Sequence, residues 1–507
     1  VARASGILTA RQPEVPSLRP NPSIFQIDVR DWLYRCSQEL DRPCQLDEIP
    51  DLYLDRLAGL GFDWIWLLGI WQTGPAGAEI SRQTPEWQAG FRQALPDLTE
   101  DDITGSPFAI TEYEVHADFG GPYALRILRD RLRRRGLRVL LDFVPNHTAI
   151  DHPWVEMHPD FYIRGSESDL EQQPKNFIKL DLGSEAVIFA HGRDPYFPGW
   201  PDTLQLNYGN PEVQEAMSEQ LVYIAGQCEA VRCDMAMLVL PDVFTRTWGI
   251  HIEPFWAGAI AAARAANPEF RVVAEVYWGL QGELQQLGFD YTYDKDLYDH
   301  LVRHDAGSVR VHLSGDVSYQ HKLVRFLENH DEPRAAATFS DEAHKAAAVI
   351  TYFTPGLRFF HAGQLRGARV KPSIHLRRRY REPANPGLFA FYQRLLECLK
   401  FDSWPDDWTL LEAAPAWDGN WTNNCFLCFG WCSNGELEAL AAVNFSDHPS
   451  QCYVKLPFPA LCEHGITLRD LLGDTRYQRS GSELVSSGLY LDMPNWQFHL
   501  FKIEHAS

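Results

Sequence analysis

Four short stretches of the chain combine carboxylates with groups that can hold or repel their charge. "DFVPNH" carries Asp142, Asn146 and His147, "VRCD" carries Arg232 and Asp234, "AEV" carries Glu275, and "FLENHD" ends in Asn329, His330 and Asp331. Each closes an apolar run, where an unpaired charge is costly. Arg232 and Asp234 are two residues apart, so on a strand they share a face, and the guanidinium can orient the carboxylate and keep it ionised. Glu275 is followed by Val276, Tyr277 and Trp278, more apolar company that raises a carboxyl pKa. A carboxylate kept as the anion beside one kept protonated suits cleavage of a glycosidic bond. The first attacks or stabilises the anomeric carbon, and the second donates to the leaving oxygen. The residues therefore predict Asp234 as nucleophile, with a lowered pKa, and Glu275 as acid, with a raised one. Any one of these carboxylates alone reads as a helix cap or surface ion pair; four of them, each ending an apolar run, do not.

Such groups meet only if the runs that carry them are parallel neighbours. Short apolar runs ("IFQIDV", "FDWIWLLG", "LRVLLDFV", "EAVRCDMA", "FRVVAEVYW", "LVRFLENHD", "GLRFFHAG") alternate with amphipathic stretches such as 123–136, where Leu125, Leu128 and Leu132 keep helical spacing and Gly136 supplies the stop. Asn210 and Pro211 read as N-cap and first residue of another helix. This order predicts an α/β fold, a (β/α)8 TIM barrel whose polar strand ends converge on one mouth. Residues 148–211 are too long for a simple crossover and read as an insertion domain on the rim after strand 3. The barrel takes 23–147 and 212–404, residues 1–22 form a loose arm, and the short strands of 405–507 predict a C-terminal antiparallel β-sandwich.

A net charge of −22 would repel a polyphosphate chain, so no nucleic-acid partner is expected. No apolar run is long enough to span a membrane. The 10 cysteines are irregularly spaced and offer no disulfide framework, which fits a reducing cytoplasm. Cys425, Cys428 and Cys432 read as small apolar strand residues rather than zinc ligands. Of the tryptophans, Trp64 and Trp66 read as barrel packing. The oligomeric state is left open.

The four motifs, in this order, resemble the four conserved regions of the α-amylase family, glycoside hydrolase family 13, and the similarity runs from about residue 24 to the C-terminus. The resemblance implies that Asp234 forms a β-glycosyl enzyme, that Glu275 is the general acid/base, and that Asp331 distorts and steadies the sugar. It implies His147 and His330 as donors to sugar hydroxyls, and Asp142 as floor of the site beside Arg232. Phe108, in "SPFAITEY", falls where the family places a tyrosine that stacks on the bound sugar. Two departures stand out. Many starch-active members carry Lys-His three and four residues after the nucleophile, the Lys contacting sugar beyond the cleavage point and the His helping a calcium site; here Met237 and Leu238 occupy those positions. Ala109 replaces an Asp that exo-acting α-glucosidases use to grip terminal hydroxyls. No cofactor is therefore expected, and calcium only if Asn146, at another ligand position, serves it. In residues 364–381, Arg366, Arg369, Lys371, Arg377, Arg378, Arg379 and Arg381 reverse the local charge. Arg378 and Arg379 are candidates for an anion site, against the alternative of ion pairs with the acidic surface.

The reading that results is a retaining α-glycosidase acting on oligosaccharides or small α-glucosides by double displacement. Transfer or phosphorolysis with a small or anionic acceptor, and an inactive carbohydrate-binding relative, are the alternatives.

Overall fold

The computed structural model describes residues 18–505 apart from 184, 401–403, 406 and 464. Eight parallel strands close into a barrel. In chain order they are β1 (Ser23–Asp28), β2 (Trp64–Leu68), β3 (Arg138–Phe143), β4 (Ala230–Cys233), β5 (Arg271–Ala274), β6 (Tyr291–Tyr293), β7 (Leu323–Arg325) and β8 (Leu357–His361). Seven match apolar runs of the sequence. The exception is β6: three residues in "FDYTYDK" make no apolar run, and only the neighbours' open edges call for a strand there. β7 ends at Arg325, so "FLENHD" is the loop that follows it rather than its continuation.

The crossover helices follow local signals. Leu125, Leu128 and Leu132 are buried on helix Gly121–Arg133, and Gly136, at φ 77°, turns the chain into β3. Asn210 caps helix Pro211–Gln227, its side chain accepting from Glu212 N at 3.0 Å.

Two excursions build walls above the barrel mouth. After β3, strand His147–Ala149 pairs with Thr203–Gln205, and Phe177–Asp181 with Ala186–Ala190. After β2, strands Trp71–Thr73 and Ile110–Val115 pair and enclose helices Pro75–Gln83 and Pro85–Ala94. This second wall is not anticipated by the periodicity, because each helix is short and opens with proline.

The C-terminal sandwich consists of a six-stranded and a three-stranded antiparallel sheet. Its strand Phe426–Ser433 is buried on both faces. Leu427, Phe429 and Trp431 join the barrel's core, while Phe426, Cys428 and Cys432 join the sandwich's own, as the period of two in a strand requires.

Two expectations are corrected. The loose arm falls mainly on residues outside those described, but residues 18–22 are tied down. Arg19 pairs with Asp63 at 2.6 Å and donates to Leu399 O at 3.1 Å, and Asn21 accepts from Gly356 N at 2.9 Å. The cysteines do supply a disulfide, Cys36–Cys44, made local by Asp41, whose left-handed backbone ends helix Val29–Leu40 and folds the chain back. Disulfides persist in oxidising surroundings, so the cysteines no longer argue for a reducing compartment. Among the described residues, no helix is long and apolar enough to cross a membrane.

Candidate active site

Strand register brings the first two charges together. Arg232 of β4 is the direct partner of Asp142 on β3, and the two lie 3.6 Å apart. Beyond the strand ends the ladder continues: Asp234 N donates to Phe143 O at 2.8 Å and Glu275 N to Cys233 O at 3.0 Å. Asp234 and Glu275 are thereby carried to the same level. Arg232, buried to 1% exposure, donates to Asp234 Oδ1 at 2.7 Å and to Glu275 Oε2 at 2.6 Å. The two carboxylates thus lie within the span of one guanidinium. Met235, at φ 41°, turns so that its N–H also meets Glu275 Oε2, at 2.8 Å. Tyr277 O–H donates to Glu275 Oε1 at 2.8 Å. Arg232 and Met235 thus hold Glu275 through Oε2, Tyr277 meets its Oε1, and Arg232 holds Asp234 through Oδ1.

Burial, against the pull of Arg232, raises the pKa of Asp234 above the usual range, so the lowered value expected from Arg232 alone is reversed. Burial likewise raises Glu275, and repulsion from Asp234 and Asp331 adds to the rise. Burial pushes Asp142 up to about 7, opposed by Arg232. One cation facing this many carboxylates cannot keep them all ionised out of water. Arg232 lies on both carboxylates, so what separates them is repulsion: Glu275 is repelled by Asp234 and Asp331, whereas Asp234 is repelled by Asp331, which favours retention of the proton on Glu275.

The remaining candidates surround the same cavity of about 250 Å³, lined among others by Phe108, His147, Arg232, Asp234, Glu275, His330 and Asp331. The Asp331 side chain is 42% exposed at the mouth. Burial lowers both His147 and His330 to about 3, so each is neutral at ordinary pH. Gln26 of β1 stands 3.0 Å from His330 Nδ1 through its amide nitrogen. That nitrogen is a donor, so His330 carries its proton on Nε2, which lies 3.1 Å from Asp331. Phe108 lies under the Arg232 guanidinium, 5.1 Å from ring centre to Cζ. Asp142 lies just below this lining, accepting from Trp66 Nε1 at 3.1 Å. Trp64 and Trp66 are buried in the barrel as expected.

Arg378 and Arg379 do not join this cluster. Arg378 pairs with Asp97 at 3.0 Å and Asp102 at 2.7 Å, and Arg379 with Asp31 at 2.6 Å. Of the two readings the sequence offers, ion pairs with the chain's own carboxylates rather than an anion site describe both side chains. Asn146 is also engaged: its Nδ2 donates to Gln205 Oε1 at 3.1 Å and its Oδ1 accepts from Gln205 Nε2 at 3.0 Å. Met237 and Leu238 are buried apolar neighbours. An oxygen spent on an amide partner and two apolar side chains do not make a calcium site.

Further contributors include Gln26, Trp87, Asp202 and Glu328, to which the sequence assigns no role, and Trp200 and Tyr277, which it places at the rim and beside Glu275. Gln26 carries the same signal as Asp142, a polar residue inside an apolar run. Trp87, from the second wall, and Trp200, Asp202 and Tyr277 also line the cavity. Glu328 is fully buried, bonded to Arg334 and to Ala335 N at 2.8 Å, and held down to about 2 by Arg334 and His361 against its burial. It anchors the loop that carries His330 and Asp331.

Closed parallel barrel and acidic mouth together define the barrel glycoside hydrolases. A model of the alpha-amylase catalytic domain matches residues 51–372, and the chain belongs to the α-amylase family, glycoside hydrolase family 13. It is similar to the alpha-amylase MalA of Haloarcula japonica, 23% identical over 378 residues that make up 73% of this chain and 48% of the relative. It is 34% identical to the trehalose synthase of Pimelobacter sp. over 184 residues, 34% of this chain and 26% of that one. The chain spans about half the length of the first curated relatives it matches. Among solved structures, the noncanonic maltogenic alpha-amylase AmyB from Thermotoga neapolitana superposes with a TM-score of 0.67 at 18% identity, over 96% of this chain and 99% of that one. At that identity the likeness concerns the fold alone.

Proposed function

We propose that the chain is a retaining α-glycosidase that cleaves α-glucosidic bonds of oligosaccharides or small α-glucosides. The observation that carries this reading is Arg232 holding Asp234 and Glu275 on adjacent guanidinium nitrogens at one cavity wall. Asp234 Oδ2 attacks the anomeric carbon while Glu275 Oε1 gives its proton to the leaving oxygen; the C–O bond breaks, and a β-glycosyl ester of Asp234 forms. Water then attacks that carbon, Glu275 takes the water's proton, and Asp234 departs as carboxylate. Asp331 and the Nε2–H of His330 face the sugar as positive charge builds on it. Phe108 offers its ring face to the same sugar.

The test is incubation with maltotriose, sucrose, starch and p-nitrophenyl α-glucoside, each with and without phosphate, with the first product followed by NMR. The α-anomer should appear first, and Asp234→Asn should abolish turnover. A β-anomer appearing first, or an Asp234→Asn protein as active as the parent, sinks the reading. A sugar phosphate formed only when phosphate is present would identify phosphorolysis instead of hydrolysis.

A further inference from the structure

The first turn of helix Val29–Leu40 buries a cation without a direct counter-charge. Arg30 is 8% exposed. Its Nη1 donates to Thr104 Oγ1 at 3.0 Å and to Gly105 O at 2.7 Å, and its Nη2 to Thr73 Oγ1 at 3.2 Å, all of them neutral oxygens. A guanidinium has five N–H groups, so two remain unspent. A buried charge is costly unless it is paired. The carboxylate that supports Arg30, Asp28, makes no side-chain pair with it among the described residues, and burial with repulsion from Asp31 pushes Asp28 itself up to about 6. Burial correspondingly draws Arg30 below the usual arginine value.

Arg30 lines a cavity of about 660 Å³ beside the second wall, which shares no described lining residue with the cavity that holds Asp234 and Glu275. Thr73 and Thr104 line it with Arg30, and so do Arg82, Arg377 and His116. Arg82 lies 3.8 Å from Glu79, and Arg377 lies 3.3 Å from Asp102, a carboxylate it shares with Arg378. His116 accepts from Asp118 N on Nδ1 at 3.2 Å, so its proton sits on Nε2 as a further donor. The carboxylates of the lining, Asp101 and Asp118, are exposed, and neither pairs with an arginine among the described residues. In a chain of net charge −22, a cavity with three guanidinium groups is a local reversal.

The donors identify the occupant. One carboxylate satisfies one guanidinium edge, whereas donors from separate elements, Arg30 on its helix, Arg82 on helix Pro75–Gln83 and Arg377 on the segment after β8, suit an anion with oxygens on several sides. A tetrahedral phosphoryl group has that form. The cavity is larger than the group alone requires, and the Tyr34 ring, 5.5 Å from the Arg377 guanidinium, also lines it, so there is room for a body attached to the phosphate.

We propose that this cavity is a second ligand site, for a phosphoryl group carried by inorganic phosphate or by a sugar-sized phosphate monoester. Arg30 supplies its two unspent N–H groups, and Arg82 and Arg377 supply the surrounding charge. Occupancy ties helix Val29–Leu40 to the second wall, because Thr104 and Gly105, which Arg30 holds, run directly into Ser106 and Phe108 of the active-site lining. The inference stands independently of the glycosidase reading.

The test is calorimetric titration of the full chain with inorganic phosphate and, separately, with glucose 6-phosphate, in a buffer free of other oxyanions. Saturable binding is expected, and Arg30→Gln should weaken it about tenfold or more. The double variant Arg82→Gln, Arg377→Gln changes partly exposed side chains and should weaken binding several-fold; it carries the test if Arg30→Gln does not fold. Tighter binding of glucose 6-phosphate assigns the site to a monoester, and equal or weaker binding assigns it to phosphate itself. Amide hydrogen exchange should slow at residues 101–106 on binding. A parent protein that shows no saturable binding of either ligand, folded variants with the parent's affinity, or protection confined to residues 232–235 and 275 overturns the site.

Discussion

Arg232 decides the electrostatics of the pocket because it is one cation shared by Asp142, Asp234 and Glu275. The proposed mechanism needs Asp234 ionised and Glu275 protonated, and burial raises both above their ordinary values. The sign follows for each limb of the pH profile. As pH rises through the folded-state pKa of Glu275, above 4.5, the acid is lost and kcat/KM falls; as pH drops through that of Asp234, the nucleophile is lost and kcat/KM falls again. Glu275→Gln should therefore remove the alkaline limb and lower kcat/KM for maltotriose by about 10²- to 10⁴-fold. It should cost much less with α-glucosyl fluoride, whose leaving group needs less protonation. An alkaline limb that survives the substitution would assign the acid to another residue.

At the scale of elements, strand ends set the level of each carboxylate and loops aim it. The loop after β7 depends on Glu328, whose depressed pKa means that its stabilising effect is present above its unfolded pKa and is lost as pH falls toward 2. Glu328→Gln leaves Arg334 buried without its counter-charge, at a cost of about 3 to 5 kcal/mol in urea unfolding at pH 7. That cost should shrink on acidification; equal losses at pH 7 and pH 3 would show that the pair is not the source. The first wall meets the barrel through the Asn146–Gln205 amide pair. Dialysis against a chelator should leave the melting temperature unchanged, whereas Gln205→Ala should lower it by leaving a buried amide unpaired. A melting temperature restored by added calcium would count against this junction.

Across the whole molecule, one sheet of the sandwich shares the barrel's core. Leu427, Phe429 and Trp431 pack with Phe353 and the other barrel residues. Arg310 donates to Phe426 O at 2.8 Å and Arg394 to Leu471 O at 2.8 Å across the same junction. Domains joined by a small polar contact unfold separately, but a shared apolar core couples them. Calorimetry should show one transition for barrel and sandwich; two well-separated transitions would mean that the core is not shared in energetic terms.

The barrel and the convergence of these carboxylates on one cavity are legible in the sequence because buried parallel strands demand apolar runs, and a charge ending such a run needs a partner or a use. Asp234, Glu275 and Asp331 carry that sign and line one cavity, and Asp142 carries it beside Arg232. Gln26 carries the same sign, a polar residue inside an apolar run, but a neutral amide there demands no counter-charge and so points less sharply to a site. What only the tertiary structure decided were quantities set by partners far away in the chain. For Arg378 and Arg379 the sequence leaves open an anion site or ion pairs with the acidic surface, and the partners Asp97, Asp102 and Asp31, distant in the chain, decide for ion pairs. The pKa of Asp234 looks low beside Arg232 until burial and the sharing of that one cation reverse it. Local sequence specifies which groups are present and which face of a strand they occupy; the energy of each depends on its depth from water and on every charge within a few ångströms, and those are set by the closed barrel.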